Sequence, residues 1–191
     1  MIKRIFEAIE KIEIGDFENA LIQISIGLDG VAKIKYPELN TTKRCIKLID
    51  DYRHFIYKFS TLGQVTIREN GNVLYAGEFK GKTLGEIIYK VIRCGLLHDG
   101  KLPDNNSFVF GGGFGIGAFK FGDPDPKFGF LISKGFLLSI CLVIIENDTS
   151  EDYNELLGYK EFLFNERKLR IDKSLWGYDN LTQKILEDLN M

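Results

Sequence analysis

The chain has 191 residues, of which 45% are hydrophobic and 27% are charged, and its formal net charge is −2 at pH 7. This is the composition of an ordinary globular protein that is long enough to bury a core. The slightly acidic balance argues against a broadly basic surface for nucleic acids. Three cysteines without paired ligand spacing indicate a reducing cytoplasm and argue against a zinc site.

The charges are divided unevenly along the chain. Residues 1–101 carry 16 Lys and Arg against 13 Asp and Glu, whereas residues 102–191 carry 9 against 14. The first half is therefore compatible with a local groove that binds phosphate.

No secretory segment is predicted, and a membrane segment is only a minor alternative for the longest apolar run. The longest apolar run, residues 135–145, is too short to cross a bilayer, and we expect it to be buried inside the protein. The first seven residues alternate between charged and apolar types, which is not the pattern of a signal peptide.

Three helices are predicted before residue 60. The first is short and amphipathic, and the second runs from an N-cap at Asp16 to about residue 35, before Pro37. Gly27 and Gly30 each weaken this second helix, which predicts a packing reason such as the close approach of another helix. The third helix is capped around Asn40 and continues to Phe59.

Two polar residues on these helices have ordinary interpretations. Asp29 lies on the mostly apolar second helix, and we expect a solvated or hydrogen-bonded aspartate. His54 lies on the third helix, and we expect a surface histidine.

A β-hairpin and a fourth helix follow. Residues 64–79 alternate between apolar and polar types around Asn70-Gly71, which is typical of a hairpin. Thr83 and Glu86 then fit a capping box at the start of a helix. Its apolar stripe comprises Leu84, Ile87, Ile88, Val91 and Ile92.

The remainder of the chain predicts mixed structure. Glycines alternate with aromatic residues from 108 to 132, which fits either short strands joined by turns or a mobile loop. Residues 134–146 fit a helix or a buried strand, and their length favours a helix. Two strand-like runs at 162–164 and 168–171 and a last helix at 180–189 complete the chain.

The helix that begins at Thr83 leads to an arginine and a histidine with catalytic potential. The segment reads Arg93-Cys-Gly-Leu-Leu-His98. Histidine accepts and donates protons near neutral pH, and arginine binds phosphate through two parallel hydrogen bonds. On an uninterrupted helix the two side chains lie about 140° apart. They converge only if the helix bends near Gly95 or if a second copy completes the site.

This Arg-x4-His motif, with the longer string from Ile88 to His98, resembles the signature of the HEPN family. The resemblance implies a mainly α fold with added β (α+β). Residues 1–102 would form a helical bundle with the hairpin at 64–79, and residues 103–191 would add strands and helices to the same domain.

The resemblance also implies a function. It implies a metal-independent endoribonuclease that needs no cofactor and leaves 2′,3′-cyclic phosphates. Such proteins are homodimers in which two motifs face one RNA-binding groove, and many serve antiviral defence or toxin–antitoxin systems, where an antitoxin or effector is a further partner. Arg93 and His98 would be the catalytic residues, with Glu86, Tyr89 and Cys94 as supporting residues.

Two alternatives stay open. Cys94 stands where the HEPN motif often has a polar residue, so a module that binds RNA or protein without cleaving it is also compatible. A phosphate-binding loop is the other alternative, with Gly81, Lys82 and Thr83 as nucleotide-binding residues and Glu146 as a distant acidic partner for magnesium. Bulky residues at 79 and 80 and the absence of β-α repeats weigh against that loop.

Overall fold

The computed structural model describes residues 2–62, 81–89, 108–113, 116–121, 127–149, 160–164, 167–171 and 180–189. In this part of the chain, helices predominate over short strands, which confirms the predicted mainly α fold with added β. The helices are α1 (Ile2–Glu13), α2 (Phe17–Lys35), α3 (Thr41–Asp51), α4 (Arg53–Ser60), α5 (Leu84–Tyr89), α6 (Lys134–Asn147) and α7 (Leu181–Asp188). The strands are β1 (Phe108–Gly111), β2 (Ile116–Phe121), β3 (Lys127–Ser133), β4 (Lys160–Phe164) and β5 (Arg167–Ile171).

Helices α1 and α2 form a hairpin that packs closely against α6. The turn between them contains Gly15 at a φ of 80°, a conformation that favours glycine. A Cβ atom on Gly27 of α2 would lie 2.8 Å from Ile5 Cδ1 and 3.3 Å from Ile144 Cδ1. The predicted close approach at Gly27 is confirmed, and it involves two helices.

The third predicted helix is two helices, so the prediction of one continuous helix to Phe59 is wrong. Asn40 caps α3 as predicted, because its side chain accepts a hydrogen bond from the Lys43 amide at 3.0 Å. At Tyr52 the chain leaves the helical conformation, with φ −97° and ψ 7°. A break of a single residue leaves the helical spacing of the apolar residues on either side almost unchanged. The break is therefore hard to predict from the sequence pattern.

Helix α6 lies at the centre of the bundle. It begins at Ser133, whose hydroxyl accepts a hydrogen bond from the Phe136 amide at 3.1 Å. All of its residues from 135 to 145 are buried, and it packs against α1, α2, α4 and α7. A helix that is apolar all round has to be enclosed by other elements, and the predicted burial of this run is confirmed.

The strands form two small sheets. In the first, the order is β1-β3-β2, with β3 parallel to β1 and antiparallel to β2. Strand β3 leads directly into α6, and its Phe130 and Ile132 side chains are fully buried. Strands β4 and β5 pair as an antiparallel hairpin. Strands β1, β2 and β3 lie within the predicted glycine and aromatic segment, and β4 and β5 contain the two predicted strand-like runs at 162–164 and 168–171.

The predicted hairpin at 64–79 and the predicted bend near Gly95 lie outside the described residues. Among the helices that the structure does describe, none has the length and apolar character required to cross a membrane.

Candidate functional site

The predicted catalytic residues Arg93 and His98, and the neighbouring Cys94, lie outside the described residues. The structure describes the chain that precedes them, from Gly81 to Tyr89. The candidate site is therefore built from helix α5 and from the residues that hold this helix on the bundle.

Helix α5 begins with a reciprocal cap. The Thr83 amide donates a hydrogen bond to Glu86 Oε2 at 2.8 Å, and the Glu86 amide donates one to Thr83 Oγ1 at 3.1 Å. This is the predicted capping box, and it is confirmed. Each such cap typically stabilises a helix by about 1 kcal/mol.

The start of α5 is anchored on α3 by Asp50. The Gly85 amide donates a hydrogen bond to Asp50 Oδ1 at 2.8 Å, and the Thr83 side chain is also hydrogen-bonded to this carboxylate. A Cβ atom on Gly85 would lie 2.4 Å from the Ile46 carbonyl oxygen. Because glycine has no Cβ, the backbones of α5 and α3 can approach this closely.

The other end of α5 is also held by α3. The hydroxyls of Tyr89 and Thr42 are hydrogen-bonded at 2.7 Å. Thr42 lies at the beginning of α3 and Asp50 near its end, so the two helices run antiparallel. Of the three predicted supporting residues, Glu86 thus caps α5, Tyr89 fixes its last described turn, and Cys94 lies outside the described residues.

The same geometry weighs against a phosphate-binding loop at Gly81, Lys82 and Thr83. A phosphate at a helix start needs free backbone amides. Here the Gly85 and Glu86 amides already have partners in Asp50 and Thr83. A carboxylate therefore occupies the place where phosphate would bind.

Glu146, the proposed magnesium partner of that loop, is part of a different polar cluster. The Tyr52 hydroxyl donates to Glu146 Oε1 at 2.7 Å, and the Thr182 amide at the start of α7 donates to Glu146 Oε2 at 2.7 Å. Asn147 Nδ2 donates to the Tyr52 hydroxyl at 2.9 Å, and Lys35 Nζ donates to Asn147 Oδ1 at 2.6 Å. These side chains connect α2, the α3–α4 junction, α6 and α7.

The protonation of Tyr52 suits this connecting role. Burial, and then the hydrogen bond to Glu146, raise the pKa of the Tyr52 hydroxyl well above its usual range. The phenol therefore stays protonated at physiological pH and remains a donor to the carboxylate. No sequence motif marks this cluster, because its members come from four separate segments of the chain, and Tyr52 and Glu146 are 94 positions apart.

Asp29 and His54 are placed as predicted. Asp29 Oδ1 accepts hydrogen bonds from Arg44 Nη2 at 2.8 Å and Arg44 Nε at 3.3 Å, so it is a hydrogen-bonded aspartate. His54 is exposed on α4. Neither observation indicates a catalytic role.

Replacing Asp50 with asparagine is expected to change how stability depends on pH. Burial raises the pKa of the Asp50 carboxyl above its ordinary value of 3.8, while its hydrogen bonds to Gly85 and Thr83 oppose this. A carboxyl with a higher pKa in the folded state binds protons on folding, so the free energy of unfolding falls as pH rises between the two values. The side-chain oxygen of asparagine can still accept the hydrogen bond from the Gly85 amide, but asparagine has no carboxyl group that binds a proton in this pH range.

Urea unfolding of both proteins at about pH 3 and about pH 7 would check this. We expect the asparagine variant to gain stability relative to the parent at the higher pH. If the difference in free energy of unfolding between the two proteins is the same at both pH values, the raised pKa of Asp50 is contradicted. As a control, Asp50→Ala should lose about 1–3 kcal/mol at both pH values, because the Gly85 amide loses its partner.

Comparison with known proteins adds one finding to this geometry. No curated protein and no solved structure matches the chain. The model of the Rv1289 family matches residues 1–189. The match covers nearly the whole sequence, and the chain therefore belongs to the Rv1289 family.

Proposed function

We propose that this protein is a metal-independent endoribonuclease of the HEPN type, which acts on RNA as a cytoplasmic homodimer. The proposal is carried by the Arg93–His98 motif together with the attachment of α5, the helix that leads to it. Tyr89, four residues before Arg93, is hydrogen-bonded to α3, and Gly85 is bonded to Asp50. A rigid platform of this kind supports the positioning that catalysis requires.

The chemistry assigns one role to each catalytic residue. Arg93 binds the non-bridging oxygens of the scissile phosphate and neutralises charge that develops in the transition state. His98 transfers protons as the ribose 2′-hydroxyl attacks phosphorus and the bond to the 5′-oxygen breaks. The products are a 2′,3′-cyclic phosphate and a 5′-hydroxyl. The nucleophile comes from RNA itself, so this mechanism requires no metal.

A homodimer provides a way to bring the two groups together. Two motifs, one from each copy, would face one groove between the subunits. A role in antiviral defence or in a toxin–antitoxin system, with an antitoxin or effector as regulator, is the biological setting that we infer for such an enzyme.

The decisive experiment is an RNA cleavage assay in the presence of EDTA. We expect the purified chain to cleave RNA with chelator present and to leave cyclic phosphate and 5′-hydroxyl ends, which end-specific labelling would identify. Cleavage that requires Mg²⁺, or that leaves 5′-phosphates, would contradict the proposal.

A module that binds RNA without cleaving it is the second candidate. It is favoured by Cys94, which cannot form the two hydrogen bonds of an asparagine side chain at the position after the arginine. Retention of labelled RNA without any cleavage, measured by filter binding with the same preparation, would support this candidate over the enzyme.

A further inference from the structure

One side of helix α2 faces away from the hydrophobic core. The two edges of this side are marked by hydrogen bonds to neighbouring helices, from Arg4 of α1 to Gln23 and from Arg44 of α3 to Asp29. Ile26 lies midway between these edges, about 60° around the helix from each of them. Its side chain is 39% exposed. The outer face of α2 thus has an isoleucine at its centre.

The two ends of α2 carry opposite charges on or beside this face. Glu18 is exposed in the first turn of α2, about 80° around the helix from Ile26 and just outside the edge marked by Asp29. Lys33 is exposed in the last turn, about 20° around the helix from Ile26 on the same side. Within the described part of the chain, neither forms an ion pair with another residue. With a rise of 1.5 Å per residue, Glu18 lies about 12 Å before Ile26 and Lys33 about 10.5 Å after it. Along the helix axis, the two charges therefore lie at nearly equal distances from the isoleucine.

We propose that the outer faces of two α2 helices pack antiparallel about a two-fold axis through Ile26, so that a second copy of this chain is the partner. In this arrangement each Glu18 lies level with Lys33 of the other copy, and the two isoleucines meet at the axis. A parallel arrangement would place like charges level with each other at both ends. A two-fold interface requires such a self-complementary surface.

The size of the face sets the expected strength of the interface. A 19-residue helix is about 28 Å long, and one pair of helices buries less than the roughly 800 Å² per partner of a standard interface. We therefore expect a reversible dimer whose population rises at micromolar concentrations. This inference supplies the surface for the homodimer of the proposed function, and its test uses no RNA.

Sedimentation velocity of the full chain between about 10 μM and about 500 μM would test the interface. We expect a concentration-dependent dimer. Ile26→Glu places two carboxylates at the axis and should raise the dissociation constant at least about tenfold. Ile14→Glu is the matched control, because Ile14 is 74% exposed in the turn before α2 and lies off the face. A chain that stays monomeric throughout, or equal effects of both variants, would overturn the proposal.

A charge exchange tests the antiparallel direction. Glu18→Lys and Lys33→Glu should each weaken the dimer, because each puts like charges level at both ends. The double variant should restore association. If the double variant is as weak as the two single variants combined, the antiparallel arrangement is wrong.

Disulfide cross-linking tests the same interface without introducing a charged side chain. Ile26→Cys lies on the proposed axis and should form a disulfide with its own copy under mild oxidation, whereas Ile14→Cys and the parent chain should not. Equal cross-linking of both variants would overturn the proposal.

The interface and the proposed enzyme can fail separately. A dimer through α2 that leaves RNA intact would contradict the proposed enzyme alone. RNA cleavage by a dimer whose stability is unaffected by Ile26→Glu would contradict this interface alone.

Discussion

Replacing His98 with alanine is expected to slow RNA cleavage by at least about a hundredfold, because the variant has no side chain to transfer protons between the 2′-hydroxyl and the leaving oxygen. The chain contains a matched control. His54, the only other histidine in the sequence, is exposed on α4 and has no predicted role. His54→Ala should cleave RNA at the parent rate.

Initial rates on a fluorescently labelled RNA, measured in EDTA with all proteins purified in the same way, would check this. Arg93→Lys refines the result, because lysine keeps the positive charge but cannot bind phosphate through two parallel hydrogen bonds. We expect it to be slower than the parent. Equal cleavage by the His98 and His54 variants would assign the activity to another residue or to a contaminating nuclease.

Replacing Gly85 with alanine is expected to destabilise the fold by about 2–4 kcal/mol. The added Cβ would lie 2.4 Å from the Ile46 carbonyl oxygen and 3.0 Å from Asp50 Oδ1. The first of these contacts is with helix backbone, which cannot rotate away as a side chain can. Helix α5 would have to move off α3, which lengthens or breaks the hydrogen bond from Gly85 to Asp50.

Urea denaturation would measure this loss, with Gly112→Ala as the control. Gly112 is exposed, and a Cβ atom added there would meet nothing within 4 Å. Its substitution should change the free energy of unfolding by less than about 0.5 kcal/mol. Equal stability of the two variants would show that the close contact between α5 and α3 does not form as described.

If the proposed enzyme is correct, the Gly85 variant should also cleave RNA more slowly at temperatures where it is still folded. The expected cause is a displaced α5, since Tyr89 at its end would lose its fixed position against Thr42. If the variant is destabilised but cleaves RNA at the parent rate, the activity of the motif does not depend on how α5 is held on α3.

Much of the local structure of this protein is predictable from short sequence patterns, although the break between α3 and α4 at Tyr52 is not. Helix starts were predictable at Asn40 and at Thr83 with Glu86, because a cap joins residues only three positions apart. Burial of α6 was predictable because an apolar run of that length has to be enclosed. Gly27 predicted a close helix contact, because a glycine within a helix needs a packing reason. The Arg93–His98 motif was likewise visible in the sequence, and its role remains a prediction.

Which distant residues meet depends on how the helices pack in three dimensions. The antiparallel pairing of α3 with α5, the bond from Gly85 to Asp50, and the position of Glu146 between Tyr52 and Thr182 join residues 35 to 94 positions apart. Spacing and capping patterns describe neighbours on one helix and contain no information about such pairs. The contacts of Glu146 form where α4 and α7 pack against α6, and the Gly85–Asp50 hydrogen bond forms where α5 packs against α3.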